Sequence, residues 1–194
     1  NSMISIKHEY ELYNGKIYRT SREEVTNEEL VNLLNQNNEP NKLRLEPYNK
    51  NIDSTGWKSQ TTYEYINLEK RKVTELVNPE GDIWELDGEQ YFTFNAMERE
   101  AKKYGWHIPT DAEWNEIIGI TPIDEFLRKN NFKPSGNRDS NSYYYNRTNY
   151  TYLWSSTQVD ASSAWQRLLN YSMPSVNRYS NAKADGFSLR CVQG

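Results

Sequence analysis

Few residues in this chain could do covalent chemistry. There is one cysteine, Cys191, and there are two histidines, His8 and His107. A single thiol excludes an internal disulfide framework and a Cys-only metal site, and two imidazoles do not make a His-rich centre. His107 stands between Trp106 and Ile108 and reads as a half-buried packing residue rather than a ligand or base. Cys191 lies in an alternating run, nothing nearby in the sequence would obviously lower its pKa, and it reads as a buried, inert thiol. Carboxylate pairs such as Asp82 with Glu85 and Glu98 with Glu100 read as solvated or capping groups rather than an acid/base couple. Asp111 and Glu113 suggest calcium ligands until one notes that they open a helix, where capping accounts for both. The chain has no Gly-rich phosphate loop, no supported Ser-His-Asp constellation and no His-Glu-x-x-His. The expectation is a protein that is not an enzyme, with no metal and no cofactor.

The chemistry on offer is that of recognition. Of the 41 residues from Asn141 to Asn181, 21 are Tyr, Asn or Ser. They cluster at Tyr143, Tyr144, Tyr145 and Asn146, at Asn149, Tyr150 and Tyr152, at Asn170, Tyr171 and Ser172, and at Asn177, Tyr179, Ser180 and Asn181. Successive side chains on a strand alternate faces, so three consecutive tyrosines cannot all be buried on one side. One reading is a solvated surface from a compositionally biased genome, because Asn and Tyr are also frequent in the first half. The other is a binding surface: Tyr supplies contact area with few rotors, and Ser and Asn supply adaptable hydrogen bonds, the palette of antibody loops. The second reading is preferred. Trp154 and Trp165 could form a sugar-stacking pair, but they stand in the best-patterned apolar pieces and read as core.

These residues need elements to position them. The chain has 194 residues, a net charge of −4 and 13% aromatics. The length suits one domain, the acidic balance argues against nucleic acid as a partner, and no run is long enough to span a membrane. No basic-then-apolar leader opens the sequence, and Asn1-Ser2-Met3 read as an appended remnant. Mean hydropathy is low at −0.99, yet the aromatics exclude a disordered chain. From Ile4 to Thr20 a hairpin is expected around Asn14-Gly15, and a helix after the Thr26 cap. Short strands are expected near Tyr63 to Ile66 and Val73 to Val77. Gly81 to Leu86 should pair with Tyr91 to Phe94 across Asp87-Gly88. Helices are expected from Asn95 to Tyr104, from the Thr110/Glu113 capping box onward, and from Pro122 to Asn131. Beyond Phe132 the helical period disappears, and a small antiparallel sheet with long polar loops is expected, closed by the alternating strand Gly186 to Val192. The fold class is α+β.

Three stretches resemble a known family. Gly105-Trp106-His107-Ile108-Pro109-Thr110-Asp111-Ala112-Glu113-Trp114 is similar to the "GWxxPTDAEW" segment of C-type-lectin-fold domains related to formylglycine-generating enzymes, including the Fibrobacter succinogenes major paralogous domain. Leu153-Trp154-Ser155-Ser156-Thr157 resembles their "WWSST" segment, and Gly186-Phe187-Ser188-Leu189-Arg190-Cys191-Val192 their closing "GFSVRCV" strand. Ala164-Trp165 and Val176-Asn177-Arg178 fall in the expected places between. The likeness runs from about Gly88 to Val192. It implies one C-type-lectin-like domain over 4–194, in which 88–194 is the well-matched part and 4–87 the weakly matched one.

The same fold carries the variable proteins of diversity-generating retroelements of bacteria, phages and archaeal viruses. There a reverse transcriptase changes template adenines, which favours Asn codons as targets and Asn, Tyr, Ser and Asp as products. The resemblance implies a variable region at about 141–181 and a solvent-facing site made of the Tyr, Asn and Ser clusters named above. The implied partner is a protein or cell-surface ligand, with display on a virion or host cell; oligomeric state is left open. The enzymatic chemistry of relatives does not carry over. The copper-binding cysteine pair is reduced to Cys191, an iron-binding histidine set cannot be assembled, and the EPN and WND motifs of calcium-dependent lectins are absent. A structural or surface module of the same fold, without a specific ligand, is the alternative.

Overall fold

The computed structural model describes residues 10–13, 16–19, 45–48, 52–103, 105–119 and 122–193. The expected helix after Thr26 and the turn residues Asn14 and Gly15 lie outside them. The flanking strands β1 (Tyr10–Tyr13) and β2 (Lys16–Arg19) do pair antiparallel, Tyr13 against Lys16.

The rest is mixed α+β, mostly antiparallel, with three helices among the described residues. In chain order come β3 (Glu46–Pro47), β4 (Lys58–Ile66), β5 (Glu69–Val77), β6 (Ile83–Leu86), β7 (Glu89–Phe92), α1 (Phe94–Ala101), β8 (Trp106–His107), α2 (Asp111–Ile118) and α3 (Ile123–Lys129). β9 (Asn137–Arg138), β10 (Tyr143–Tyr145), β11 (Tyr150–Gln158), β12 (Ser163–Asn170), β13 (Ser175–Ala182) and β14 (Arg190–Gln193) follow. A six-stranded sheet runs β7-β6-β5-β4-β10-β9, a second β11-β12-β13, and a third β3-β14-β8. Among the described residues no helix is long and apolar enough to cross a membrane.

Local chemistry explains most of these elements. The β6–β7 hairpin turns on Asp87 (φ 50°) and Gly88 (φ 81°), the positive-φ pair that a two-residue hairpin demands. α1 starts at Thr93, whose side chain accepts from the Ala96 N–H. α2 starts with the full capping box of Thr110 and Glu113. The tip of the β4–β5 hairpin departs from the rule. Its turn is Asn67 (φ 50°) and Leu68 (φ 67°), and a left-handed leucine costs about 1–2 kcal/mol. Leu68 is 98% exposed, so no packing repays that strain. Leu68→Gly should therefore raise stability by about 0.5–1 kcal/mol, read as a higher urea midpoint. A lower midpoint would mean that the leucine is covered in solution.

β11 sits at the centre of the core because both its faces are buried. Trp154 points into one cluster with Phe92, Phe94, Met97 and Phe187. Leu153, its neighbour, points into another with Trp114, Phe126, Phe132 and Leu169. Two expectations are corrected here. The Tyr/Asn/Ser region is not built of long polar loops: β10, β11, β12 and β13 occupy most of it. And the two weak strands near Tyr63 and Val73 are nine-residue partners, the longest pairing in the six-stranded sheet.

Candidate functional site

The tyrosines meet where β10 docks on β4. That contact is parallel, with Tyr143 beside Tyr63, Tyr144 beside Glu64 and Tyr145 beside Tyr65. Strand alternation then sends Tyr63, Tyr65, Tyr143 and Tyr145 to one face, all half-exposed, and sends Glu64 and Tyr144 inward. The Tyr65 and Tyr145 rings stack at 5.2 Å and 3°. Tyr143 stands edge-on to Tyr63 and Tyr65, each at 5.9 Å. The Lys70 ammonium lies 4.3 Å from the Tyr63 ring and 5.2 Å from the Tyr143 ring. The result is a four-tyrosine ladder with a lysine resting on it.

Buried charge holds this ladder in register. Beneath it Glu75 is fully enclosed and accepts two hydrogen bonds from Arg138 (2.9 and 3.0 Å), one from the Tyr144 hydroxyl (2.5 Å) and one from Gln60 (2.9 Å). Arg138 also lies 3.9 Å from the Trp84 ring. Burial, and then the Glu75 charge, push the Tyr144 phenol far above its usual range, so it remains a donor. Glu64, also fully buried, is held by Arg71 at 2.9 Å and by Arg147 at 3.0 Å, and Arg147 reaches on to Asp87 at 2.6 Å. Gly136 permits the fit on the other side: a Cβ there would stand 2.1 Å from the Tyr145 carbonyl oxygen.

The surface continues onto β11 through Asn146. Its amide donates to the Tyr152 hydroxyl at 3.0 Å. Tyr152 stacks on Phe187 at 5.3 Å and meets Tyr150 edge-on at 6.3 Å. Beyond it lies Asp185, which accepts from the Ser140 N–H (3.1 Å) and from Asn181 (3.3 Å). Burial raises the Asp185 carboxyl above its ordinary range. On the same face of β13, by alternation, lie the exposed Asn177 and Tyr179. Asn149 is exposed in the turn that precedes β11.

Five residues fall elsewhere than expected. Tyr144 is wholly buried against Tyr91 and Leu86 and is core, not surface. Tyr171 packs on the Leu153 and Leu169 cluster, with its hydroxyl 3.2 Å from Thr151; it faces away from Tyr150 and Tyr152. Ser180 pairs with Trp165 across β12 and β13, on the sheet face opposite Tyr179. Asn170 uses its side-chain oxygen to accept from the N–H groups of Ser172 and Met173; it shapes the turn in which Ser172 is exposed. Trp165 is half-buried, not core: Arg178 covers its ring at 3.3 Å. Conversely, Tyr63, Tyr65 and Lys70 join the surface without having been singled out, and the buried Asp185 supports it through Asn181. Their signal in the sequence was only the period-two spacing of Tyr63 and Tyr65.

The groups that might do chemistry are engaged structurally. His107 lies 2.7 and 2.9 Å from the Glu113 oxygens. Asp111 receives Arg167 and Arg178, each at 2.6 Å. Asp82 pairs with Arg99 at 2.6 Å, and Glu100 accepts from Tyr48 and Lys103. Cys191 is buried, its thiol 3.4 Å from the Glu46 carbonyl. Burial opposes ionisation of Asp111 and Glu113. Hydrogen bonds from Arg178 and Arg167 to the first, and from Thr110 and His107 to the second, outweigh it and hold both carboxyls low. A depressed carboxyl stabilises the fold above its unfolded value near pH 4 and loses that contribution as pH falls through the folded one. Asp185, raised, acts in the opposite sense. The depressed groups outnumber it, so stability should fall as pH drops from about 5 toward 3, and Asp111→Asn should flatten the fall. The partly exposed pairs of His107 with Glu113 and of Arg178 with Asp111 should each contribute under about 1 kcal/mol, while the Arg167 side chain is enclosed at 3% exposure. A pH-independent urea midpoint over that window would contradict this.

No protein-family model, curated protein or solved structure matches the chain.

Proposed function

We propose that this chain is a non-enzymatic ligand-binding protein with a diversified Tyr/Asn/Ser surface on a fixed scaffold of the C-type lectin fold. The reading rests above all on the continuity of one half-exposed surface. It runs from Tyr65 and Tyr145 through Asn146 to Tyr152 and Asn181, the last bonded to the buried Asp185, over a base locked by enclosed ion pairs. Rigid aromatic side chains on a rigid base lose little entropy on binding, which is what affinity at such surfaces requires. The fold assignment draws on where the family-like stretches lie. Gly105 to Trp114 spans β8 and the capped start of α2, Leu153 to Thr157 lies within the doubly buried β11, and Gly186 to Val192 runs into β14. Each is a scaffold position, and the proposed variable residues lie between them. The ligand is a protein or a cell-surface molecule, and the chain itself is displayed on a virion or host cell.

The test is sequence from independent isolates, with the DNA flanking the gene. Differences should concentrate at Tyr143, Tyr145, Asn146, Asn149, Tyr150, Tyr152, Asn177, Tyr179 and Asn181. Tyr144 should stay constant although it stands between two varying positions, and so should Trp154 and Cys191. A nearby reverse transcriptase, with a copy of the coding region differing only at adenines, should accompany that pattern. Variation scattered over the fold, with Tyr144 as changeable as its neighbours, would favour the other reading, a structural module without a specific ligand. That reading draws on the ladder tyrosines satisfying one another by stacking.

A further inference from the structure

The eight residues of β13 form an open sheet edge. In the sheet β11-β12-β13 the other edge is covered, because Thr151 and Leu153 of β11 bridge to Gly136 and Ser188. No strand pairs with the outer side of β13 among the described residues. Asn177, Arg178, Tyr179 and Ser180 are all exposed, whichever face they point to. The end strands of the other large sheets are short: four residues in β7 and two in each of β9, β3 and β8. Long edges are normally guarded by proline, a bulge or outward charge, and β13 has none of these. Its register with β12 runs unbroken from Ser175 to Ala182. Its one charged residue, Arg178, is drawn onto the Trp165 ring and Asp111.

The ladder decides which main-chain groups point outward. The Lys183 N–H donates to the Ser162 carbonyl, which makes that pair a hydrogen-bonded one. Hydrogen-bonded positions alternate along antiparallel strands, so the odd-numbered residues of β13 turn their N–H and C=O groups to β12. The bond from the Tyr171 N–H to the Asn149 carbonyl gives the same parity from the other side of β12. The N–H and C=O groups of Val176, Arg178 and Ser180, and the N–H of Ala182, therefore point away from β12. The Ala182 carbonyl already accepts from the Asp185 N–H. Such a row of unpaired groups is a template for another strand.

We propose that β13 pairs antiparallel with β13 of a second copy of this chain, joining two three-stranded sheets into one. The strand is self-complementary in one register. Hydrogen bonds form only where outward-facing residues oppose one another. A register centred on Arg178 would set two like charges side by side, which is destabilising, and one centred on Ser180 shortens the overlap. The register centred on Tyr179 avoids both. Arg178 exchanges its N–H and C=O bonds with Ser180 of the second copy, and Ser180 does so with Arg178. Tyr179 meets Tyr179 and Asn177 meets Asn181 in the closer, non-hydrogen-bonded pairs, where aromatic and amide side chains touch. The contact is isologous and closes as a dimer. Its two-fold axis stands normal to the sheet, so the faces bearing Tyr150, Tyr152, Asn177 and Tyr179 point the same way in both copies and form one larger surface. The pairing itself does not depend on that surface having a ligand.

Sedimentation equilibrium of the full chain should show a reversible dimer. Tyr179→Cys should give a disulfide-linked dimer on mild oxidation, because the opposed Cα atoms of such a pair stand about 4.5 Å apart, within disulfide reach. The native Cys191 is buried. Leu68→Cys, at the 98% exposed hairpin tip, should cross-link far more slowly. Ser180→Lys should raise the dimer dissociation constant at least about fivefold, because the new charge faces Arg178 twice in each dimer. Ser180→Glu should lower it. A chain that stays monomeric to near-millimolar concentration overturns the proposal and leaves the edge to an extended segment of another protein. So does cross-linking of Leu68→Cys as fast as Tyr179→Cys, and so does a dissociation constant indifferent to the charge at position 180.

Discussion

Arg138→Ala should remove about 3–5 kcal/mol of stability, a large part of the roughly 5–15 kcal/mol available to a domain. The reason is the group left behind. Glu75 is fully enclosed and Arg138 is 6% exposed at its side chain. With the guanidinium gone, the Glu75 carboxylate keeps only the Tyr144 hydroxyl and the Gln60 amide, two neutral donors for a buried charge. Trp84 also loses the cation over its face. Lysine should rescue only part of the loss, because a point charge cannot supply the paired donors or the flat stacking surface. Arg138→Met combined with Glu75→Gln should be more stable than Arg138→Met alone, since the uncompensated charge is then gone. Urea unfolding of the parent and these four variants decides the matter. A loss under about 1 kcal/mol for Arg138→Ala would mean that water reaches Glu75 and that β10 is not held from below.

Trp154→Ala should cost about 3–5 kcal/mol, and Trp165→Ala only about 1 kcal/mol. The two tryptophans read alike in the sequence. In the fold Trp154 is wholly buried, packs on Phe187 at 4.3 Å and on Phe94 at 5.7 Å, and donates its indole N–H to the Phe92 carbonyl at 2.7 Å. Its removal opens a cavity and takes one of two donors from that carbonyl, which keeps the Phe187 N–H at 3.0 Å. Trp165 is half-buried, with one face against Arg178, so its removal mostly exposes a guanidinium to water. Measured losses of equal size would mean that the outer face of β12 and β13 is covered in solution.

The elements that were legible share one property: their signals are local. Asp87-Gly88 specifies a turn because two adjacent residues must take positive φ. Thr110 and Glu113 announce a helix start because the cap closes within four residues. The alternation of Phe187, Leu189 and Cys191 marks one buried face, and all three are buried. The pairing of β10 with β4 has no such signal. It joins Tyr143 to Tyr63 across a long stretch of chain, and nothing within three consecutive tyrosines says which parity faces inward.

The sequence by itself therefore determined the composition of the surface, its tyrosines and asparagines, the capped helices and tight hairpin that frame it, and the burial of Trp154 and Cys191. Only the tertiary structure decided which residues share the surface. It turned Tyr144 inward to Glu75, put Ser180 and Tyr171 on other faces, and brought Tyr63, Tyr65 and Lys70 in from β4 and β5. The physical reason is the buried charge. Glu75 needs a donor at Tyr144 and a fork at Arg138, and satisfying that one enclosed carboxylate sets the parity of β10 and with it the faces of its tyrosines.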